Sequence, residues 1–350
     1  MATKAGRGRR VTITDIARHA GVSKGAVSYA LNGQPGVSAE TRARILAIAS
    51  ELGWYPNRVA RALSAARAHA CGLVITRPSR LLSLEPFFME LIAGVEAELS
   101  ARSVALTIQL VRDHEEELEI YRRWWAERRV DGVMLVDLRV DDARLVEVAR
   151  LGLPAVLAGA PVEGSAIPAV WHDEGGTAAD TLRYLAALGH RRVARVGGVS
   201  EFVHTALRTA AFREIADELG LNADVIDTDF TPESSARATR TLLSQAQPPT
   251  AIVYDSDILA VTGLGIAHQL GFAVPDDVSI VAGDDSLICE VIHPPLTAVT
   301  RDIVAYGSAA ARRLLQEVDG EGAGDVQSPS GVLTVRSTTG KPRAWPRAAE

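Results

Sequence analysis

The feature that most constrains this chain is a run of three short helical patterns in Val11–Leu63, VTITDIARHAGVSKGAVSYALNGQPGVSAETRARILAIASELGWYPNRVARAL. Thr14 reads as an N-cap with Asp15 in the first turn, and apolar Ile16, Ala17 and Ala20 recur at helical spacing until Gly21 breaks the run. Ser23 caps a second helix, in which Val27, Ala30 and Leu31 turn inward while Lys24, Gly25, Ser28 and Tyr29 turn outward. Ser38 opens a third, with Ile45, Leu46, Ala49 and Leu52 on one face and Gly53 at its end. Stripes this short bury a core only by closing on one another. Two helices joined by a Gly-containing turn, with a third beside them, predict a helix-turn-helix.

Charge separates this stretch from the rest. Residues 1–70 hold eleven Lys/Arg against three acidic residues, a net of +8 in a chain whose total is −6. The remainder therefore carries −14, so a polyanion partner is expected for the first part alone. Residues 1–10, Gly- and Arg-rich with no apolar period, read as a disordered basic tail. No apolar run follows that tail and none later reaches membrane-spanning length, so neither secretion nor a membrane is expected and a cytoplasmic setting is. Cys71 and Cys289 are too few for a disulfide framework and too isolated for a metal.

These residues carry a family resemblance. Thr12, Asp15, Ile16, Ala17, Ala20, Gly21, Val22, Ser23, Ala26, Val27, Ser28, Leu31 and Asn32 match the N-terminal pattern of the LacI family of bacterial transcription regulators, and Tyr55-Pro56-Asn57-Arg58-Val-Ala60-Arg-Ala-Leu63 resembles its hinge signature. Trp54 stands where the family usually has Tyr. The resemblance implies a homodimer on a double-stranded, pseudo-palindromic DNA operator, its second helix in the major groove and paired hinge helices in the minor groove. DNA-contacting candidates are then Thr12, Ser23, Lys24, Gly25, Ser28, Tyr29, Asn32, Asn57, Arg58, Ala60 and Leu63, with Leu63 as the wedge that opens a base step. The chemistry of the residues agrees. Lys24 donates to guanine or phosphate acceptors, Tyr29 offers one hydrogen bond and an apolar face where many relatives have Arg, and Gly25 leaves its base pair unread by a side chain.

Beyond an Ala/Arg linker at Ala65–Ala70 the period changes. Strand Cys71–Thr76, helix Pro86–Ala101, strand Val104–Leu110, a helix through Tyr121 and Trp125, strand Gly132–Val136, helix Asp142–Arg150 and strand Pro154–Leu157 alternate as in a parallel sheet covered on both faces. A second such unit is expected to begin near Val170 and run through strand Val278–Ala282. The fold class is therefore α/β, an all-α headpiece followed by two doubly wound lobes. The resemblance makes these a periplasmic binding protein type I-like core and implies a return to the first lobe near Thr300, with Ile303–Gln316 completing it and Val332–Val335 near the second. Leu188-Gly189-His190, Val274-Pro-Asp-Asp-Val-Ser-Ile280 and Pro294-Pro-Leu-Thr297 extend the match as turn and edge devices, His190 among them as a structural donor. The expected divisions are 1–10 tail, 11–56 helix-turn-helix, 57–70 hinge and linker, 71–340 core and 341–350 tail. Within the core the first lobe takes about 71–170 with 301–328, and the second about 171–300 with 329–340.

A ligand is expected between the lobes, at the carboxyl ends of the strands. A polyhydroxylated effector such as a sugar needs carboxylate acceptors, an Arg donor and an aromatic face. Candidates are Phe87, Asp137, Asp173, Arg208, Phe230, Ser256, Asp284 and Arg301. Strand-end aspartates also cap helices, and for Asp137 and Asp173 both readings stand. Ser256 replaces the family's Asn, Ala211 its Gly after Arg208, and Gly283 a bulkier residue, which leaves the effector's identity open.

Nothing in the sequence supports catalysis, a cofactor or a metal. Gly21-Val-Ser23-Lys-Gly25 matches a hydrolase nucleophile elbow, but that device needs a strand before it. His114 beside Glu115–Glu117 reads as a solvated helix face, and neither a P-loop nor dinucleotide-binding glycine spacing occurs. Two other classes compete with a DNA-binding repressor: a solute-binding module of the same fold, against which the basic headpiece argues, and an α/β enzyme, for which no nucleophile and base pair up.

Overall fold

A computed structural model describes residues 11–31, 33–54, 67–77, 85–322 and 324–343, which divide into one unit up to Ala68 and another from His69 onward.

The first unit holds α1 (Ile13–Ala20), α2 (Lys24–Leu31) and α3 (Ala39–Glu51). Thr12, not Thr14, is the cap of α1, because Asp15 then falls at the third helical position and the two residues cap each other. Thr12 N donates to Asp15 Oδ2 at 3.0 Å and Asp15 N to Thr12 Oγ1 at 3.4 Å. Such a cap contributes about 1 kcal/mol. Gly21, at φ 65°, ends the helix in the left-handed region where a side chain is disfavoured. Ile16, Ala17, Ala20, Val27, Ala30, Ile45 and Ala49 form the core. Leu46, expected there, is 47% exposed, since Ile45 and Ala49 already occupy the inward face one turn apart.

The second unit is two α/β lobes. The first sheet runs β11-β5-β4-β3-β1-β2, all parallel, from β1 (Ala70–Thr76), β2 (Ala105–Val111), β3 (Gly132–Leu135), β4 (Ala155–Ala158), β5 (Ala169–Trp171) and β11 (Val326–Gln327). The second runs β12-β10-β9-β8-β6-β7, from β6 (Arg192–Gly197), β7 (Asn222–Asp227), β8 (Ala251–Tyr254), β9 (Ser279–Ala282), β10 (Thr297–Thr300) and β12 (Val332–Thr334), with β12 alone antiparallel. The strand at Val170 thus belongs to the first sheet and does not open the second unit. Its backbone pairs with Leu157 and Ala158 of β4 and with β11, the short strand that returns from the far end of the chain.

Helices α4 (Pro86–Ala101) and α12 (Ile303–Asp319) cover one face of the first sheet, and α5 (His114–Ala126) with α6 (Ala143–Leu151) cover the other. Helices α7 (Glu174–Leu188) and α8 (Val203–Glu218) cover one face of the second sheet, α9 (Pro232–Leu243) and α10 (Asp257–Gln269) the other, and the short α11 spans Leu287–Val291. The α4–α12 contact is backbone on backbone: a Cβ on Gly94 would lie 2.0 Å from Val304 O, and one on Gly307 2.4 Å from Leu91 O.

Glu117 corrects the reading of His114–Glu117 as a solvated face. It is 1% exposed and accepts from Thr76 Oγ1 at 2.9 Å, Tyr121 Oη at 2.6 Å and Arg144 Nη1 at 2.8 Å. The strand-facing side of α5 is apolar apart from this fully bonded group, as burial of a charge requires. His190, at the end of α7, bonds Thr250 Oγ1 at 2.9 Å and Gly340 O at 3.0 Å, tying the last described residues to the second sheet.

Candidate functional site

Strand order reverses between β1 and β3 in the first sheet and between β6 and β8 in the second, and ligand crevices form beyond the carboxyl ends of strands at such points. Both points open onto one cleft between the lobes. The first lobe supplies Arg77 just past β1, Glu85, Phe87 and Phe88 at the start of α4, and Asp137 past β3. The second supplies Glu174 at the start of α7, His204 and Arg208 on α8, Phe230 past β7, Asp255, Ser256 and Asp257 past β8, and Asp284 past β9. His172, Arg301 and Tyr306 lie where the chain passes between lobes, and the space, mouth included, is about 880 Å³.

Each of the cleft's six carboxyl groups meets a partner from the protein itself. Glu174 Oε2 lies 2.8 Å from Arg208 Nε and 3.2 Å from Arg301 Nη2. Asp284 Oδ1 lies 3.2 Å from Arg301 Nη1, and Asp255 is held by both Arg195 Nε at 2.8 Å and Nη2 at 2.6 Å. Arg77 lies 3.1 Å from Asp137 Oδ2 and 3.5 Å from Glu85 Oε2, while Asp257 accepts from the hydroxyl of Ser286. No cation among the described lining residues is left over for a free anion.

The partners do not balance equally. Burial pulls the Glu174 carboxyl upward, but Arg208 and Arg301 together outweigh it and hold it well below the carboxylate range. For Glu85 burial wins over Arg77 and pushes the carboxyl up to about 7; for Asp284 it wins over Arg301 and Arg208 and gives about 6. His204, buried beside Arg208, is lowered to about 4 and is neutral at physiological pH. Glu85 Oε1, His172 Nε2 and Arg301 Nε are buried without a hydrogen bond among the described residues. A donor-rich, uncharged ligand would satisfy such a set.

Aromatic faces complete the wall. The Arg77 guanidinium lies 5.7, 5.0 and 5.4 Å from the ring centres of Phe88, Phe202 and Phe230, so a first-lobe cation packs on second-lobe rings. Phe230 holds φ 62°, uncommon for a non-glycine residue, with its ring where a Cβ on Gly198 would stand 1.9 Å away. Beside it the lobes join by backbone, Val140 N to Glu201 O at 2.9 Å and Val203 N to Leu138 O at 2.8 Å.

Of the residues expected from sequence, Phe87, Asp137, Arg208, Phe230, Ser256, Asp284 and Arg301 line the cleft. Asp173 does not: its Oδ1 caps α7 by accepting from Gly176 N at 2.8 Å, and the next residue, Glu174, enters the cleft instead. Ser256 lines the cleft while its Oγ caps α10, accepting from Leu259 N at 3.4 Å. Arg77, Glu85, His172, His204, Asp255 and Tyr306 were missed. Arg77 and Asp255 each directly follow a legible strand, a signal that could have found them.

In the helical unit, Ser23 Oγ accepts from Ala26 N at 3.1 Å, while Lys24 and Gly25 are exposed. Thr12 is exposed with its hydroxyl donating to Asp15 Oδ2 at 2.7 Å, Ser28 is half-buried, and Tyr29 is 48% exposed. Asn32, Asn57, Arg58, Ala60 and Leu63 lie outside the described residues. Gly21-Val-Ser23-Lys-Gly25 joins two helices, so the strand a nucleophile elbow requires is replaced by α1. Among the described residues no cluster of His, Cys, Asp or Glu could hold a metal ion, and no helix is long and apolar enough to cross a membrane.

Comparison with known proteins agrees with this architecture. Residues 12–57 match the model of bacterial regulatory proteins of the lacI family, and residues 182–339 that of a periplasmic binding protein-like domain. The chain is 33% identical over 320 residues to the HTH-type transcriptional regulator CelR of Thermobifida fusca, covering 90% of this chain and 94% of that one. It is 32% identical to the regulator AglR of Rhizobium meliloti, over 94% of both. Among solved structures, the complex of the transcriptional regulator CelR with cellobiose superposes with a TM-score of 0.72 at 31% identity, covering 94% of this chain and all of that one. The lac repressor dimer bound to operator and the anti-inducer ONPF gives 0.82 at 26%, covering 95% of this chain and all of that one.

Proposed function

The chain belongs to the LacI family of bacterial transcription regulators, DNA-binding proteins and not enzymes, and on that premise we propose that it is a cytoplasmic repressor, acting as a homodimer on a pseudo-palindromic operator and released or retained by a neutral sugar in its interlobe cleft. One observation carries the effector class: the cleft joins aromatic faces to carboxylates already paired with arginines, and among the described lining residues no cation is left free for a phosphate. Paired groups of this kind accept and donate to hydroxyls while keeping their own charge balanced. The cellobiose held by a relative's structure and the operator bound by the lac repressor dimer support the same reading.

The switch is a linkage. A sugar changes operator affinity only by as much as it binds one arrangement of the lobes better than another. The groups that touch both lobes, Arg77 among the rings of Phe88, Phe202 and Phe230, are where that difference arises. On the DNA side the reading assigns base contact to Lys24, Ser28 and Tyr29, and minor-groove entry to the hinge at residues 57–63.

The test is a thermal-shift screen of the full chain against glucose, cellobiose, maltose, lactose and their 6-phosphates, with operator binding followed in parallel on duplexes selected from a random pool. A neutral sugar should raise the melting temperature, by the ordinary mass-action effect of a ligand that binds only the folded state, and change operator occupancy. A response to the 6-phosphates alone would overturn the effector class, and no selected duplex at all would overturn the repressor reading.

A further inference from the structure

The chain passes between the lobes three times, at residues 172–173 after β5, at residues 301–302 before α12, and at residues 328–331 between β11 and β12. His172 lies on the first passage, bonds Pro329 O of the third at 2.9 Å through Nδ1, and packs at 4.4 Å, tilted by 37°, against Tyr306 on the helix that follows the second. Any change in the angle between the lobes must therefore move the surroundings of this ring.

The chemistry of the ring is settled by its neighbours. A carbonyl oxygen only accepts, so Nδ1 carries the proton and donates to Pro329. Burial lowers the pKa of His172; Arg301 and Arg208 lower it too, against the Pro329 carbonyl and Glu174, which raise it. In the neutral ring Nε2 is then a bare lone pair. It is buried, has no hydrogen bond among the described residues, and belongs to a side chain that is 7% exposed and lines the cleft. A buried acceptor left without a donor destabilises the fold, and a ligand that supplies the donor removes that cost.

We propose that His172 is an effector-binding residue, its Nε2 accepting a hydrogen bond from an effector hydroxyl and so linking cleft occupancy to the segments about which the lobes move. This deepens the sugar reading above and rests on it. It also sets a requirement on the effector: at this point of the cleft it must present a donor, so a deoxy or O-methyl analogue at the matching position is disfavoured.

The test compares His172→Asn and His172→Phe with the unaltered full chain. Asparagine keeps a donor near the Nδ1 position and has nothing where Nε2 stands, whereas phenylalanine keeps the ring that packs on Tyr306 and loses both nitrogens. With whichever of cellobiose, maltose, lactose or glucose gives the largest thermal shift, calorimetric affinity should fall about tenfold in both variants. A His172→Asn protein that binds that sugar as the unaltered chain does would overturn the proposal and leave His172 a tie between segments. Nitrogen-15 spectra keep the two readings apart: an Nε2-protonated ring in the sugar-free protein overturns the His172 assignment, and with an Nδ1-protonated ring the Nε2 resonance should shift when the sugar is added, whereas an unchanged Nε2 resonance in the sugar-bound protein overturns it. If none of the four sugars binds, the effector class fails and the His172 assignment, which rests on it, falls with it, whereas binding with an unchanged Nε2 resonance overturns the assignment alone.

Discussion

Asp284 and Arg301 face each other at 3.2 Å, yet the Asp284 carboxyl is pushed up to about 6 because its loss of water outweighs the nearby guanidinium. Glu85, across the cleft, is pushed up to about 7 for the same reason, against Arg77. Below about pH 6 both carboxyls thus hold protons that a ligand can displace, and Glu85 still holds part of its proton at pH 7.

A hydroxyl that donates to either carboxylate favours its ionised form and lowers its pKa. Sugar binding should therefore release protons near pH 6.5, and affinity should rise with pH through that window. Calorimetry in two buffers of different ionisation enthalpy reads the proton count directly; proton uptake at pH 6.5 would rule the mechanism out. In the sugar-free protein the same raised values act on folding. Between 3.8 and about 6 for Asp284, and between 4.5 and about 7 for Glu85, the folded state holds more protons than the unfolded one, so these groups make stability fall as pH rises.

Glu174 behaves in the opposite way. Arg208 and Arg301 share its Oε2, and its folded value lies below the ordinary 4.5. Its contribution is present above 4.5 and is lost only as pH falls through the lower folded value. Glu174→Gln leaves two enclosed guanidinium groups without their common counter-charge, which should cost about 3 kcal/mol in urea unfolding. That deficit should persist unchanged from pH 8 to pH 5. A deficit that shrinks over that range would mean Glu174 is not the ionised member of the cluster.

Gly94 and Gly307 predict a different failure. The backbones of α4 and α12 touch at both positions, so a methyl group at Gly94 has carbonyl oxygen, not a movable side chain, in its way. Gly94→Ala should destabilise the core by about 1–3 kcal/mol, as overpacking does. Because α4 also carries Phe87 and Phe88 into the cleft, sugar affinity should fall with it. Gly265→Ala, on the open side of α10 where no atom lies within 4 Å of the added Cβ, is the control and should be neutral or slightly stabilising.

Strand ends made much of the cleft legible, since a short apolar run followed by Asp marks where a parallel sheet opens. Asp137 and Asp284 came from that rule. Asp173 failed it by one residue, because capping α7 and entering the cleft are competing uses of adjacent carboxylates, and spacing does not say which side chain turns which way. His172 was beyond reach for another reason. Its position depends on Pro329 and Tyr306, more than a hundred residues away, which come together only once the chain has passed three times between lobes. Glu117 looked solvated because its neighbours in sequence are polar, and its burial is explained by partners that spacing along one helix does not reveal, Thr76 on β1 and Arg144 on α6.

Leu63 gives the sharpest test of the DNA side. It lies outside the described residues, in an Arg-rich stretch where a leucine has no charge to offer a phosphate. If it opens a base step, its value appears only on a sequence that can be opened there, since unstacking is returned as contact only at the matching site. Leu63→Ala should therefore weaken binding to a selected operator about tenfold or more while leaving binding to unrelated duplex nearly unchanged. The dependence on salt, roughly −0.9 in log–log slope for each phosphate neutralised, should be steep in both proteins and equal, because no phosphate contact has been removed. Fluorescence anisotropy on both duplexes between 50 and about 200 mM salt measures all three quantities. Equal losses on the two duplexes would remove the wedge, and a flat salt profile in the unaltered chain would remove the basic headpiece as the source of affinity.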